Sequence, residues 1–163
     1  MSPPYTAEDI DVAAIPQELK GRRQWVCWRL EERGGKPTKV PYNPRTGRRA
    51  DTTDSDTWSS FDEATKASEN EAYNGIGFVF SSGDKYTGID LDRCRDPMTG
   101  QIETWAWKWV ERFDGYTEVS PSGEGLHVLV KGKSPRNGKT TVDGKTVEVY
   151  STERFFTFTG VRP

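Results

Sequence analysis

Cysteine and histidine are nearly missing from this sequence. Its 163 residues contain two cysteines, Cys27 and Cys94, and one histidine, His127. Two cysteines so far apart supply neither a disulfide framework nor a zinc site, and a lone histidine excludes every metal motif built on a histidine pair. That usage fits a reduced, intracellular (cytoplasmic) setting. Long apolar runs are missing too. The opening MSPPYTAEDIDV has none, so no signal peptide is expected there. No stretch approaches the length of about 20 apolar residues that crosses a bilayer. Repeats and low-complexity segments are also lacking.

Charge of one sign is scarce overall, with a net charge of −2, which by itself is no footprint of nucleic acid. Its distribution is uneven. Residues 33–50 hold six Lys and Arg and no acid, residues 51–71 hold seven acids against one Lys, and residues 131–146 hold five Lys and Arg against one Asp. Local basic segments are what a phosphate-rich partner selects, although solvated loops account for either segment alone. What the chain has in plenty is aromatic side chains: six Trp, six Tyr and seven Phe. These argue against disorder and for one domain, residues 1–163, with a real core.

Residues 1–15 read as a loose lead-in. IPQELKGRRQWVCWRL reads as a short helix and a strand over 24–30, and the basic Gly/Pro-rich stretch as a hairpin or extended loop with a short strand near 38–41. SDTWSSFDEATKAS has an N-cap followed by Trp58, Phe61 and Ala64 at helical spacing. GIGFVFS, the turn SGDK and YTGIDLD carry a hairpin signature. In IETWAWKWVERFD the tryptophans alternate as in a strand, yet Trp105, Ala106, Trp109, Val110 and Phe113 form one helical face. We read a helix, with its tryptophans in the core rather than forming a base-stacking platform. YTEVS, LHVLVKG, KTVEVYS and RFFTFTG read as strands. Many strands and few helices predict an α+β fold with a mixed or mostly antiparallel sheet, one face packed on helices and the other open.

Alternate side chains of a strand share a face. Asp90 and Asp92 therefore point one way, and Ile89 and Leu91 the other. His127 opposes Leu126 and Val128, and Glu148 opposes Val147 and Val149. An open sheet face would thus carry Asp90, Asp92, Glu148 and His127. Neighbouring carboxylates raise one another's pKa, and something must offset that repulsion. Water on an exposed face suffices for a D-x-D alone. A third carboxylate from another strand makes a divalent cation with oxygen ligands, Mg²⁺ or Mn²⁺, the chemical alternative. Beside it, the loop SPSGEGLHV, residues 120–128, offers glycine backbone and serine hydroxyls of the kind that cradle phosphate. Other sites fail. GKSPRNGKT has five residues between its glycines where a phosphate-binding Walker loop has four, and no helix pattern follows. The sole histidine leaves no nameable triad, and carboxylates two residues apart are too close for a glycosidase pair.

In order, GIDLDRC, SPSGEGLHV and VEVYSTERFFTFTG resemble the three motifs of the archaeo-eukaryotic primase superfamily. The likeness is strongest to the primase-polymerase domains at the N-termini of phage and plasmid replication proteins. KVPYNPRTGRRA and TWSSFDEA resemble the upstream sequence of that group, so the resemblance covers residues 20–163. It implies an RRM-like primase catalytic core and template-directed nucleotidyl transfer with two Mg²⁺ or Mn²⁺ ions held by Asp90, Asp92 and Glu148. It implies that Ser122, Gly123 and His127 hold the triphosphate of a dNTP or NTP, helped by the basic residues Lys39, Arg45 and Arg154. It also implies a single-stranded DNA template along segment 33–50, and a helicase domain following in the same polypeptide. A catalytically silent DNA- or nucleotide-binding module and a metal-dependent nuclease using the same carboxylates are the competing readings.

Overall fold

Two sheets, rather than the single sheet expected, divide the nine strands among the described residues, which are 10–135 and 137–163 of a computed structural model. In chain order the elements are α1 (Gln17–Lys20), β1 (Trp25–Arg33), β2 (Lys36–Tyr42), α2 (Phe61–Ala67), β3 (Gly75–Phe80), β4 (Tyr86–Leu91), α3 (Thr104–Phe113), β5 (Tyr116–Val119), β6 (Leu126–Lys131), β7 (Gly138–Val142), β8 (Lys145–Tyr150) and β9 (Arg154–Phe158). The first sheet has the order β2-β1-β3-β9 and the second β5-β6-β4-β8-β7. Every pairing is antiparallel. The α+β class therefore holds.

The hairpin expected between β3 and β4 does not form, because each strand pairs within a different sheet. β3 is buried along its whole length, with apolar residues for both faces. Ile76, Phe78 and Phe80 join Trp25, Phe156 and Phe158 on one side, and Val79 joins Val26 and Trp58 on the other. Such a strand belongs inside a sheet, and β1 and β9 flank it. The turn after β3 redirects the chain. The buried Asp84 carboxylate accepts the Ser81 and Tyr86 amides and binds Gln24 and Lys133.

Trp25 organises the first core, its ring meeting Phe61, Phe78 and Phe158 edge-on at 4.9, 5.2 and 5.5 Å. α2 covers this face with Phe61 and Ala64, and α1 with Leu19. Of the expected lead-in, residues 1–9 lie outside the described residues. The remainder is docked, with Ile15 in the core and the Asp11 amide bonded to the Thr159 carbonyl. The second sheet turns Ile89, Leu91, Leu126, Val128 and Val147 toward α3, whose Ala106 is buried among them. Trp105 and Trp109 pack against that cluster, as expected of core tryptophans, whereas Trp107 is 38% exposed.

The other face of the second sheet is split. Tyr86, Leu129, Tyr116 and Tyr150 pack on the aromatic face of the first sheet. Gly88 makes this closeness possible: a Cβ there would stand 2.8 Å from Phe80 and 2.9 Å from Phe156. The expected open face is thus open only at its far end, where Asp90 and Asp92 lie.

Candidate active site

Antiparallel partners point to the same side of a sheet. The register pairs Lys139 with Glu148, Glu148 with Asp90, Asp90 with His127, and His127 with Glu118. Five strands thus align five ionisable side chains in one row. At its middle the row borders a cavity of about 320 Å³ lined by Lys39, Asp90, His127, Tyr150 and Arg154 together with Phe155, Phe156 and Thr157. The size is at the lower end for a small-molecule site.

Asp90 keeps 23% of its side-chain surface accessible and stands 3.7 Å from His127 Nε2. Burial raises its pKa above the ordinary value, the carboxylates of Asp92 and Glu148 add to that rise, and His127 and Lys39 oppose it. Asp92 follows the last residue of β4, is exposed, and donates its amide to the Thr146 carbonyl. Glu148 accepts the Tyr150 hydroxyl at 3.0 Å and lies 3.9 Å from Arg154. Burial and the charges of Asp90 and Glu148 raise the Tyr150 pKa, so the phenol stays protonated and donates. Lys39 reaches the same cavity from β2, its ammonium 5.7 Å from the Trp28 ring. Residue 39 has accessible surface, but protein crowds its ammonium. That desolvation lowers its pKa against the pull of Asp90, Asp92, Glu118 and Glu148.

Asp90, Glu148, His127, Lys39 and Arg154 therefore come together. Ser122 and Gly123 sit to one side, in the β5–β6 loop. Gly125 presses that loop against the end of β4, where a Cβ would meet the Leu91 carbonyl at 2.7 Å and the Asp92 Cα at 3.7 Å. Arg95 holds the Gly123 carbonyl at 2.8 Å, and Ser122 Oγ lies 3.2 Å from Ser120 Oγ. Arg45 is not brought in. Its guanidinium donates to the carbonyls of Asp56 and Trp58 at 2.8 and 3.2 Å. Sequence reasoning missed Glu118, whose signal lay in YTEVS: an acid on the strand that pairs with the histidine strand.

The three acids suit a hard cation in kind, each offering only carboxylate oxygens. Asp90 and Glu148 face each other across β4 and β8, and the raised pKa of Asp90 marks a charge that a cation would relieve. Among the described residues no group of three His, Cys, Asp or Glu side chains is already drawn together as a metal cage, since Glu148 is turned to Tyr150 and Arg154. No helix among the described residues is long and apolar enough to cross a membrane.

No protein-family model matches the sequence. Over 154 residues, 93% of this chain, it is 41% identical to a DNA primase-polymerase of Nitratiruptor phage NrS-1. This likeness supports a primase-polymerase domain. It spans 21% of the length of that phage protein. The aligned part thus takes in nearly all of the chain.

Proposed function

We propose that this chain is a nucleotidyltransferase that extends DNA along a single-stranded template, the catalytic domain of a primase-polymerase. One observation carries the reading: Asp90, with Glu148 opposite it on the neighbouring strand, borders a cavity also lined by His127, Lys39 and Arg154, so a carboxylate for cations and bases for phosphates line one space. Asp90, Asp92 and Glu148 are the residues that would hold two Mg²⁺ or Mn²⁺ ions. Such ions, when bound there, activate an attacking hydroxyl and stabilise departing pyrophosphate.

The chain's own groups do the rest. Lys39 and Arg154 neutralise the triphosphate of a dNTP or NTP. Ser122 and the Gly123 backbone give hydrogen bonds to its oxygens from the loop beside Asp92. Phe155 and Phe156 supply the apolar wall and exclude water. The basic segment 33–50 holds the template backbone without reading sequence. A helicase in the same polypeptide is a partner proposed on the family resemblance alone.

The test is incorporation of labelled nucleotide on primed and on bare single-stranded DNA, with Mn²⁺ and with Mg²⁺, beside Asp90→Ala/Asp92→Ala. Extension that the double variant loses while keeping its circular dichroism is the expected result. Shortened DNA would make the protein a nuclease. Nucleotide binding without incorporation would make it a silent module.

A further inference from the structure

The tryptophan-bearing helix borders a groove that the functional reading leaves idle. Alternation along β8 turns Lys145 and Val147 to the side opposite Glu148. There the β7–β8 hairpin faces α3 across a cavity of about 320 Å³. Trp105, Lys108, Trp109 and Arg112 line it from the helix, and Val142 and Lys145 from the hairpin. Both indoles pack on the core yet keep accessible surface. Each is held: Trp105 Nε1 donates to the Glu103 carboxylate at 3.1 Å, and Trp109 stacks on Phe113 at 5.7 Å and 27°. Val142 is 43% exposed. Lys108 and Arg112 are exposed and lie one helical turn apart. Lys145 stands 3.6 Å from Glu103. Against these three bases the lining sets Asp143.

We propose that this groove is a second contact for single-stranded DNA, in which bases stack on Trp105 and Trp109 while phosphates meet Lys108, Arg112 and Lys145. Fixed aromatic faces flanked by cations suit a ligand that is flat and apolar on its face and anionic along its backbone. An acidic peptide satisfies the cations but leaves the indole faces uncovered. The hairpin also links the groove to the row of acids. β7 is the outer strand of the second sheet. Its exposed Lys139 is paired with Glu148 on the acid face, and Lys145 lies on the groove face of the same hairpin. A strand leaving the acids thus meets bases on both sides of the β7 edge. The inference rests on the functional reading above for what the held strand serves. The competing explanation is that Lys108 and Arg112 only lay their apolar stems over the indoles.

Tryptophan fluorescence makes the test direct, since Trp25, Trp28 and Trp58 are buried and stacked bases quench only rings they reach. Without metal or nucleotide, oligothymidylate should quench the wild type, and an abasic oligomer of equal length should not. Trp105→Phe/Trp109→Phe, which keeps a ring in each core position, should lose most of the quenching. Lys108→Ala/Arg112→Ala/Lys145→Ala should weaken oligothymidylate binding about tenfold or more and flatten its salt dependence by about 2, at 0.7 for each lost phosphate contact. Its affinity for a dNTP with Mn²⁺ should stay unchanged, which places the loss in the groove and not at the acids. The triple variant alters accessible side chains, so that arm stands even if the double variant fails to fold. Oligothymidylate binding and salt slope unchanged in the triple variant would overturn the proposal. So would quenching by the abasic oligomer, equal quenching by polyglutamate, or a wild type that binds no oligothymidylate. Nucleotide incorporation is scored separately. Its absence beside groove-dependent quenching would sink the polymerase reading and leave the groove standing, and incorporation beside an insensitive triple variant would do the reverse.

Discussion

Gly88 shows how much rests on one absent side chain. The aromatic cores of the two sheets meet across it, and a Cβ would be 2.8 Å from Phe80 and 2.9 to 3.0 Å from Phe156. Both rings are held by neighbours, Phe80 and Phe156 edge-on to each other at 5.6 Å, so neither can swing away cheaply. Gly88→Ala should therefore destabilise by about 1–3 kcal/mol, the usual range for overpacking. Because Phe156 stacks on His127, it should also weaken nucleotide binding. Urea titration and a nucleotide-binding isotherm check the two halves, and an unshifted midpoint would mean the sheets have slack. The sequence showed this glycine but not its reason. Asp90, Asp92, Glu148 and His127 were legible because a two-residue repeat assigns faces without knowing neighbours. Glu118 was missed because its role depends on partners far along the chain, the Thr159 and Gly160 amides, and spacing alone did not show that the Asp56 and Trp58 carbonyls hold the Arg45 guanidinium.

Helix α2 was legible as an element for a local reason. Ser60 accepts the Glu63 amide, and the Ser60 amide donates to the Glu63 carboxylate, a reciprocal capping box. Ser60→Ala should cost about 1 kcal/mol, as N-cap losses do. The cap also predicts a pH dependence. The Ser60 amide holds the Glu63 carboxyl below its ordinary value of 4.5. A depressed folded value means that the contribution is present above the unfolded value and is lost as pH falls through the folded one. Glu63→Gln keeps an acceptor oxygen but has no such titration. The melting-temperature gap between wild type and Glu63→Gln should therefore narrow on acidification, and a constant gap would refute the role assigned to the carboxylate. α3 was harder, since its tryptophans alternate. The apolar face of Trp105, Ala106, Trp109, Val110 and Phe113 decided for a helix, and all five pack on the second sheet. The β3–β4 pairing was misread for the opposite reason. Adjacency along the chain favours a hairpin, but which edge a strand joins depends on what buries its two faces, and β3 has apolar residues on both.

At the scale of the molecule, the question is whether two sheets make two folding units. Each could have had its own core, because α2 covers one sheet and α3 the other. The inner faces argue against independence. Phe78, Phe80, Phe156 and Phe158 of the first sheet share a continuous core with Tyr86 and Leu129 of the second, and Tyr116 and Tyr150 pack against it. His127 adds a hydrogen bond from the second sheet to the Thr157 carbonyl of the first. Neither sheet can separate without exposing that aromatic layer, and apolar area released to water costs about 25 cal/mol per Å². One cooperative transition is therefore expected. The tryptophans allow a clean measurement, because Trp25, Trp28 and Trp58 belong to the first sheet and its flank, and Trp105, Trp107 and Trp109 to α3 on the second. Replacing the α3 tryptophans by Phe leaves fluorescence reporting on the first sheet alone, while far-ultraviolet circular dichroism reports on both. Coincident urea midpoints in that variant would establish a single unit whose cavity is fixed by the packing of both sheets. A fluorescence midpoint displaced from the dichroism midpoint would mean that the sheets part first, and that Lys39 and Arg154 on one side are free to move relative to Asp90 and Glu148 on the other.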